Sequence, residues 1–493
     1  MKKSSKWLKY PMILPIVMMM LTGCNHNEDD VIGFTKKSYP CEHDSSSEPV
    51  VFVAPNGRDK NNGSKTEPFA TVNRAISDLA GKGGVIYLRG GLYQPTVSAS
   101  PKFSEDSVKN AAIYVNRGGS QQQPLKICSY PGETAIIDGK HLNDTTTLFL
   151  IEDTQWVQVI GLEIRNARGR GLEVIVAENI ALYGNNVHNN QLNGITVRGT
   201  MWGDVKKDRA RNVLVEGNLV INNYKNNSGA NKEKENHGQG LQARNAENIQ
   251  FVNNKVVENW GEGVGLVSVN NATVQRNTII DNYSVNLYFD NAQSSTAENN
   301  FIMATGNPAT MKSDRDTNNI QMANERYDNL GHTPEFYLDK NTVRNNIIVG
   351  GHEGFHYGVY AGAHAKGQKA QFFGLRNTTI ENNTFYGNHS LFNISEDPYT
   401  FNVNIKNNIF AKPTIQNTDG IISFQGLNFE QNNWYGVKPG MAASSSDVMG
   451  DPLLSKPGES APTDYTLANN SPTKAAGIGA TVKNSFLSKF RMR

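Results

Sequence analysis

The stretches Asn253-Asn254-Lys255-Val256, Arg276-Asn277-Thr278-Ile279 and Asn299-Asn300-Phe301-Ile302 decide the fold of this chain. They recur at a step of 23 residues, and each places asparagine ahead of β-branched or other apolar residues. That order is typical of a turn followed by a short strand. A fixed period in the low twenties with short strands between turns predicts a solenoid of stacked coils.

The same pattern continues on both sides of these stretches. It returns at 185–187, 345–347, 382–384, 407–409 and 432–434. Steps of 25 residues separate Asn383, Asn408 and Asn433, and the larger gaps hold insertions. Asparagine at equivalent corners can stack into a ladder of amide hydrogen bonds and tolerates left-handed backbone. The regular leucine spacing of leucine-rich repeats is missing, so the sequence predicts an all-β fold, a parallel β-helix.

Aligned coils predict which side chains point outward. Apolar residues such as Ile195 and Val197 alternate with outward ones, as strand geometry requires. Two outward columns follow from this alignment. The first contains Glu173, Thr196, Gln242, Gly265, Tyr288, Gln321 and His356, and the second contains Ile175, Arg198, Arg244, Val267, Asp290 and Ala323.

The region before the repeats predicts a capped N-terminal end. Residues 51–57 and 68–72 precede a short helix with Ala75, Ile76 and Leu79 on one face, and the first strand and turn are expected at 83–88 and 91–93. This module resembles the N-termini of right-handed β-helix proteins of the pectate-lyase-like superfamily, including pectate lyases of polysaccharide lyase family nine. Residues 451–454, 464–465 and 471–472 resemble the closing segment of the same proteins. The resemblance implies a single right-handed parallel β-helix with an N-terminal capping helix.

The chemical motifs of family nine are absent. Its pectate lyases carry an aspartate-rich DDGxD-like motif and a lysine in an NGNGFK-like motif, whereas the matching region here reads Trp260-Gly261-Glu262-Gly263-Val264-Gly265. Their calcium cage and lysine base therefore cannot be carried over to this chain.

Several side chains are candidates for polysaccharide chemistry. A β-elimination needs a group that binds the uronate carboxylate, a base for the neighbouring C–H proton and a donor for the leaving oxygen. We expect Arg244, Tyr288 and His237 to be catalytic, with Tyr288 or His237 as base or acid and Arg244 and Arg198 holding the carboxylate. The expected substrate-binding residues are Arg198, Gln242, Trp260, Gln321 and His356. Asp290, Glu262 and Glu325 would ligate calcium if the site uses one, although their spacing matches no dedicated calcium loop.

Insertions near 199–211, 224–237 and 304–318 interrupt three coils. Extra loops on the coils of a solenoid often wall a binding groove. Solvated charged surface is the alternative interpretation.

The first residues predict export. Lys2, Lys3, Lys6 and Lys9 precede a short apolar run, as in a signal peptide of residues 1–23. Leu21-Thr22-Gly23-Cys24 resembles the bacterial lipobox, which implies lipidation at Cys24 and a membrane partner through that anchor. The acidic stretch that follows resembles the surface-export signal of Bacteroides-type lipoproteins. We therefore expect an outer-membrane, surface-exposed protein with a tether over 24–49 and a β-helix over 50–485.

The composition of the chain limits the classes of binding partner that we expect. The formal net charge is +2, which gives no reason to expect nucleic acid. Apart from Cys24, the cysteines are Cys41 and Cys128, so a disulfide is possible but cannot organise the fold. No CxxC or HExxH motif predicts zinc. We expect a monomer whose partner is an acidic polysaccharide.

Three functions remain open from the sequence. The first is a lyase acting on a pectic or glycosaminoglycan-like polymer. The second is a β-helix glycoside hydrolase, which needs two facing carboxylates, for which Asp290 with Glu262 or Glu325 is the nominated pair. The third is a non-catalytic glycan-binding or adhesion protein.

Overall fold

The computed structural model describes Cys41 and residues 47–103, 109–142, 145–200, 208–228, 238–308, 310, 316–325, 336–359 and 374–481. The predicted signal peptide, Cys24 and most of the tether lie outside these residues. Within them, no helix is long and apolar enough to cross a membrane.

Short strands form almost all of the described secondary structure. The first eleven are β1 (Val50–Val53), β2 (Gly84–Leu88), β3 (Gly91–Tyr93), β4 (Asn110–Val115), β5 (Leu125–Ser129), β6 (Ala135–Asp138), β7 (Thr146–Glu152), β8 (Gln155–Ile160), β9 (Glu163–Arg165), β10 (Leu172–Ile175) and β11 (Glu178–Tyr183). The next twelve are β12 (Asn186–His188), β13 (Ile195–Arg198), β14 (Ala210–Glu216), β15 (Leu219–Ile221), β16 (Gln239–Val252), β17 (Lys255–Val257), β18 (Glu262–Gln275), β19 (Thr278–Ile280), β20 (Val285–Asp290), β21 (Thr296–Glu298), β22 (Phe301–Ala304) and β23 (Asn318–Ala323). The last eleven are β24 (Thr342–Arg344), β25 (Ile347–Gly350), β26 (Glu353–Gly358), β27 (Thr379–Glu381), β28 (Thr384–Tyr386), β29 (Ser390–Ile394), β30 (Val403–Lys406), β31 (Ile409–Ala411), β32 (Leu427–Glu430), β33 (Asn433–Tyr435) and β34 (Val448–Met449).

Helices are few and short. The α-helices are α1 (Val72–Leu79) and α2 (Pro472–Ala475), and 3-10 turns cover Lys225–Asn227, Gly440–Ala442 and Pro462–Tyr465. The predicted N-terminal helix is confirmed as α1. The Thr71 side chain accepts a hydrogen bond from the Arg74 backbone N–H at its start, and Val72, Ala75, Ile76 and Leu79 are buried.

The strands stack in parallel as three faces. Face 1 contains β4, β7, β10, β13, the first halves of β16 and β18, β20, β23, β26 and β29. Face 2 contains β1, β2, β5, β8, β11, β14, the second halves of β16 and β18, β21, β24, β27, β30 and β32. Face 3 contains β3, β6, β9, β12, β15, β17, β19, β22, β25, β28, β31, β33 and β34. The predicted parallel β-helix is confirmed.

The corner between faces 2 and 3 explains the asparagine repeat. From β8 to β33 two residues join the faces in every coil. The first has left-handed backbone, as at Asn253 (φ 54°) and Arg276 (φ 55°). The second is nearly always a buried asparagine whose amide donates to the next one, as Asn254 does to Asn277 and Asn277 does to Asn300, both at 3.0 Å. At the last step the ladder member is Asn432, not Asn433, so this step is 24 residues rather than the predicted 25.

A second asparagine ladder lies between faces 3 and 1. It links Asn190, Asn223, Asn259 and Asn282 and then passes to Asn286 and Asn319. The residue before the face 1 strand lies close to this ladder and is a glycine at position 194. A Cβ at Gly194 would lie only 2.6 Å from Asn223 Nδ2. The two ladders and the apolar interior fix the register of every face, and therefore which side chains of face 1 point outward.

Candidate functional site

The strand register confirms that the residues of each predicted column are aligned, but most of their side chains are buried and not exposed as expected. Glu173, Thr196, Gln242, Gly265, Tyr288, Gln321 and His356 occupy equivalent positions, and Asn393 continues this first column. Ile175, Arg198, Arg244, Val267, Asp290 and Ala323 form the second. Neighbouring positions in a column are about 4.8 Å apart. We call these two columns on face 1 the outer strip.

The long connections of the chain start or end at strands of face 1. Two residues suffice between faces 2 and 3 from β8 onward, whereas the connections of face 1 vary from two residues between β25 and β26 to twenty between β26 and β27. The predicted insertions at 199–211, 224–237 and 304–318 are three of them. Two more follow β23 and β26, before β24 and β27. Since connections on a solenoid vary most beside a binding surface, their distribution favours face 1 as the functional face.

The interpretation of Arg198 needs correction. Its side chain is 1% exposed and its Nε donates to Glu173 Oε1 at 2.7 Å. Arg170 donates to the same oxygen at 2.8 Å, and the Thr147 hydroxyl donates to Glu173 Oε2 at 2.8 Å. Arg198 is thus half of a buried ion pair, not an open carboxylate-binding group. Such a pair rigidifies the strip, since a buried charge needs its partners.

Gln242 is also held within the protein. Asn193 donates to its Oε1 at 3.1 Å, its Nε2 donates to Gln239, and Gln239 Nε2 donates to Glu262 Oε2 at 2.7 Å. Gly265 makes room for this chain, because a Cβ there would lie 2.6 Å from Gln239 Cγ. The predicted binding residue Gln242 therefore contributes to a buried amide network beneath the surface.

Arg244 and Tyr288 keep their places on the strip. Arg244 is half-buried and lies in register between Arg198 and Val267. The Tyr288 hydroxyl donates to Glu325 in the next coil. Gln321 accepts a hydrogen bond from Asn318 Nδ2 at 3.2 Å. These contacts place a cation, a phenol and a carboxylate along one face.

Trp260 lies apart from the strip. It precedes β18 at the corner from face 3, and its indole N–H donates to Asn222 Oδ1 at 2.9 Å. The structure therefore does not bring Trp260 together with Arg244 and Tyr288.

His356 has the most organised polar surroundings on the strip. Its Nδ1 lies 2.7 Å from Glu353 Oε2, and Asn393 Nδ2 donates to Glu353 Oε1 at 2.7 Å. The His356 side chain is 15% exposed, whereas that of Glu353 is 4% exposed. Burial disfavours the charge on Glu353, but hydrogen bonds and charge from His356 outweigh it and lower the pKa of this carboxyl group.

The acidic residues nominated for calcium are not gathered by the described structure. Glu262 aligns with Val285, and Asp290 lies five residues further along β20, about 16 Å away. Glu325 accepts from Tyr288 instead. Among the described residues no group of three or more histidine, cysteine, aspartate or glutamate side chains could hold a metal ion. His237 lies outside the described residues.

The family follows from the sequence that builds this fold. A profile described as "Pel9A-like, right handed beta helix region" matches residues 51–355, more than half of the 493-residue chain. The chain belongs to the Pel9A-like right-handed β-helix family.

Pectate lyase PEL9 of Emericella nidulans is 28% identical over 128 residues, which cover 24% of this chain and 28% of the relative. Uncharacterized protein YwoF of Bacillus subtilis is 27% identical over 127 residues, covering 25% and 24%. The chain thus spans about a quarter of the length of each relative.

Solved structures to which the chain is similar cover more of it at lower identity. Pectate lyase Pel9A has a TM-score of 0.48 and 16% identity, covering 86% of this chain and 90% of that one. A rhamnogalacturonan lyase has a TM-score of 0.49 and 14% identity, covering 87% and 99%. The GH136 lacto-N-biosidase from Eubacterium ramulus has a TM-score of 0.43 and 13% identity, covering 82% and 67%.

Sequence reasoning missed the residues that hold the strip in place. Glu353 lies three residues before His356, and Arg170 lies three before Glu173. Gln239 and Gln242 repeat the same spacing. This spacing of three between polar residues at the start of a face 1 strand, present in these three coils, was the signal that could have found them.

Proposed function

We propose that the chain is a polysaccharide lyase that cleaves an acidic, uronic-acid-containing polysaccharide by β-elimination. The carrying observation is the outer strip, in which the partly exposed Arg244 and His356 lie on one face above the buried polar network of Glu173, Gln242 and Glu353. A polymer lying along the coils would meet the partly exposed side chains of Arg244 and His356, which lie four coils or about 19 Å apart. Similarity over a quarter of its length to a pectate lyase of Emericella nidulans supports the reaction class.

Arg244 is the group that we assign to a substrate carboxylate. A guanidinium can donate two parallel hydrogen bonds to a carboxylate. Arg198 does not contact the substrate in this proposal. It is paired with Glu173 and lies in register with Arg244 in the neighbouring coil, so it holds the strand on which Arg244 packs. Tyr288 and His356 are the described groups of the first column that can exchange a proton with the sugar.

Calcium carries no step of this proposal. Its nominated ligands Asp290, Glu262 and Glu325 are not collected into one site, so whether the reaction needs a metal is left to the assay. The proposed setting of the reaction is the outer cell surface, with lipidation at Cys24 anchoring a monomer to the membrane.

The first experiment follows absorbance near 235 nm, where the unsaturated uronide product absorbs. Protein without residues 1–23 is mixed with pectate, rhamnogalacturonan, alginate, chondroitin, hyaluronan or heparan, each with calcium or with a chelator. We expect the absorbance to rise with one acidic polymer. New reducing ends without this absorbance would instead identify a hydrolase, and binding without any product would identify an adhesion protein.

The Arg244→Gln variant locates the site on face 1. We expect KM for the polymer to rise about tenfold, with kcat nearly kept, because one charge-assisted contact to a carboxylate is lost. Arg211→Gln is the matched control, since Arg211 is a partly exposed arginine on face 2 that pairs with Glu247. Equal KM and kcat values for the two variants would contradict substrate binding at the outer strip.

A further inference from the structure

His356 and Glu353 form a histidine–carboxylate pair on the outer strip. The carboxylate is buried and held from both sides, by His356 Nδ1 at 2.7 Å and by Asn393 Nδ2 at 2.7 Å. The imidazole is partly exposed on the first column, in register with Gln321 on one side and Asn393 on the other. One ring nitrogen is thus fixed inside while the ring edge reaches the surface.

The pairing determines which nitrogen is available. An ionised carboxylate only accepts, so Nδ1 carries the proton and Nε2 of the neutral ring keeps its lone pair. Among the described residues none donates a hydrogen bond to His356 Nε2, which leaves it as the acceptor on the strip side. This is the arrangement of a general base oriented by a third group.

The charged surroundings keep Glu353 ionised. His352 Nε2 lies 3.8 Å from Glu353 Oε1, and the His389 ring stacks on His352 at 5.2 Å between centroids. Asp316 faces His352, and burial raises the pKa of its carboxyl group. On the inner side the Tyr357 hydroxyl donates its hydrogen bond to Asp397 and not to Glu353.

We propose that His356 is the Brønsted base of the lyase and that Glu353 is its positioning residue; this assignment rests on the proposed function. Tyr288 is less suited, because its hydroxyl already donates to Glu325 and a phenol accepts a proton only after losing its own. A neutral imidazole accepts one directly near neutral pH.

The proton and electron balance is complete without a co-reactant. His356 Nε2 takes the C5 proton of the uronate, the C–H electron pair forms the C4–C5 double bond, and the C4–O glycosidic bond breaks. The leaving oxygen takes a proton from water, and the imidazolium returns its proton to solvent. Arg244 lies four coils away, about 19 Å, so it binds the carboxylate of a sugar further along the same polymer.

The test compares three variants on the polymer that the wild-type protein cleaves. We expect His356→Ala to lose kcat by at least about 100-fold, with KM little changed, and added imidazole to restore part of the rate. Glu353→Gln keeps a side chain of the same shape but removes the charge that stabilises the imidazolium. We expect it to lower kcat about tenfold and to move the acid limb of the pH profile to lower pH.

His389→Gln is the control, because His389 stacks on His352 and does not contact Glu353 or His356 in the described structure. We expect wild-type kcat and pH profile from it. Wild-type kcat in a folded His356→Ala protein, loss without imidazole rescue, or an unmoved acid limb in Glu353→Gln would overturn the assignment. An inactive wild-type protein would instead refute the proposed lyase itself.

Discussion

At the scale of single residues, the buried asparagines determine how precisely the coils stack. Asn277 is 1% exposed, and its amide donates to Phe251 O at 2.8 Å and to Asn300 Oδ1 at 3.0 Å. Its Oδ1 accepts from the backbone N–H of Asn254 at 2.8 Å. Replacing it leaves buried groups without partners in both neighbouring coils, which is costly in an apolar interior.

We expect Asn277→Ala to lower the free energy of unfolding by about 3 kcal/mol, because each abandoned buried group costs about 1–3 kcal/mol. Urea unfolding followed by circular dichroism measures it. Asn428→Ala is the control, since Asn428 is an exposed asparagine on face 2 that donates to Asn404. Equal losses for both variants would contradict a structural role of the ladder.

Residues also show how far the sequence alone could lead. The doubled asparagines predicted the first ladder because turn and strand follow one another locally. The second ladder was not predicted, although Asn190 and Asn223 also end doubled asparagines, because Asn259 and Asn282 follow Glu258 and Asp281. The alignment of the two columns could be predicted from the repeat period and the alternation of side chains. The burial of Arg198 could not be predicted, because it depends on an ion pair with Glu173 in another coil.

At the scale of elements, the closing segment at 451–481 covers the outside of face 3. Tyr465 is fully buried, with its ring 6.1 Å from Phe301 and 5.9 Å from Tyr386 between centroids. The Ala480 N–H donates to Thr384 Oγ1 at 3.1 Å. The sequence resemblance predicted a closing segment but not its location, because the apolar outer surface of face 3 appears only once the coils are in register.

We expect Tyr465→Ala to release this segment, at a cost of about 3–5 kcal/mol for a large buried side chain. Tyr465→Phe loses the hydrogen bonds of the hydroxyl to Glu459 O and from the Gly458 N–H but keeps the ring, so a smaller loss of about 1–2 kcal/mol is expected. Limited trypsin digestion followed by mass spectrometry reports cleavage after Lys474, whereas the Lys456–Pro457 bond resists trypsin. Tyr399→Ala, at an exposed tyrosine, is the comparison, and the same cleavage rate in it and in Tyr465→Ala would disprove the docking.

At the scale of the whole molecule, the N-terminal residues are fastened to the β-helix covalently. Cys41 and Cys128 form a disulfide across 87 residues of sequence. The Tyr87 hydroxyl donates to Cys41 O at 2.7 Å, and the buried Glu48 pairs with Lys126 at 3.3 Å. Disulfides persist in oxidising compartments, which supports the proposed export.

We expect reduction to lower the free energy of unfolding by about 4 kcal/mol, because opening a loop of this length frees the unfolded chain. Urea unfolding with and without a thiol reductant measures the difference. The double variant Cys41→Ser, Cys128→Ser should match the reduced wild-type protein and ignore the reductant, which separates the loss of the bond from other effects of the thiol. If reduction leaves the unfolding midpoint in place, the bond constrains nothing that the fold does not already hold through the Tyr87–Cys41 hydrogen bond and the Glu48–Lys126 pair.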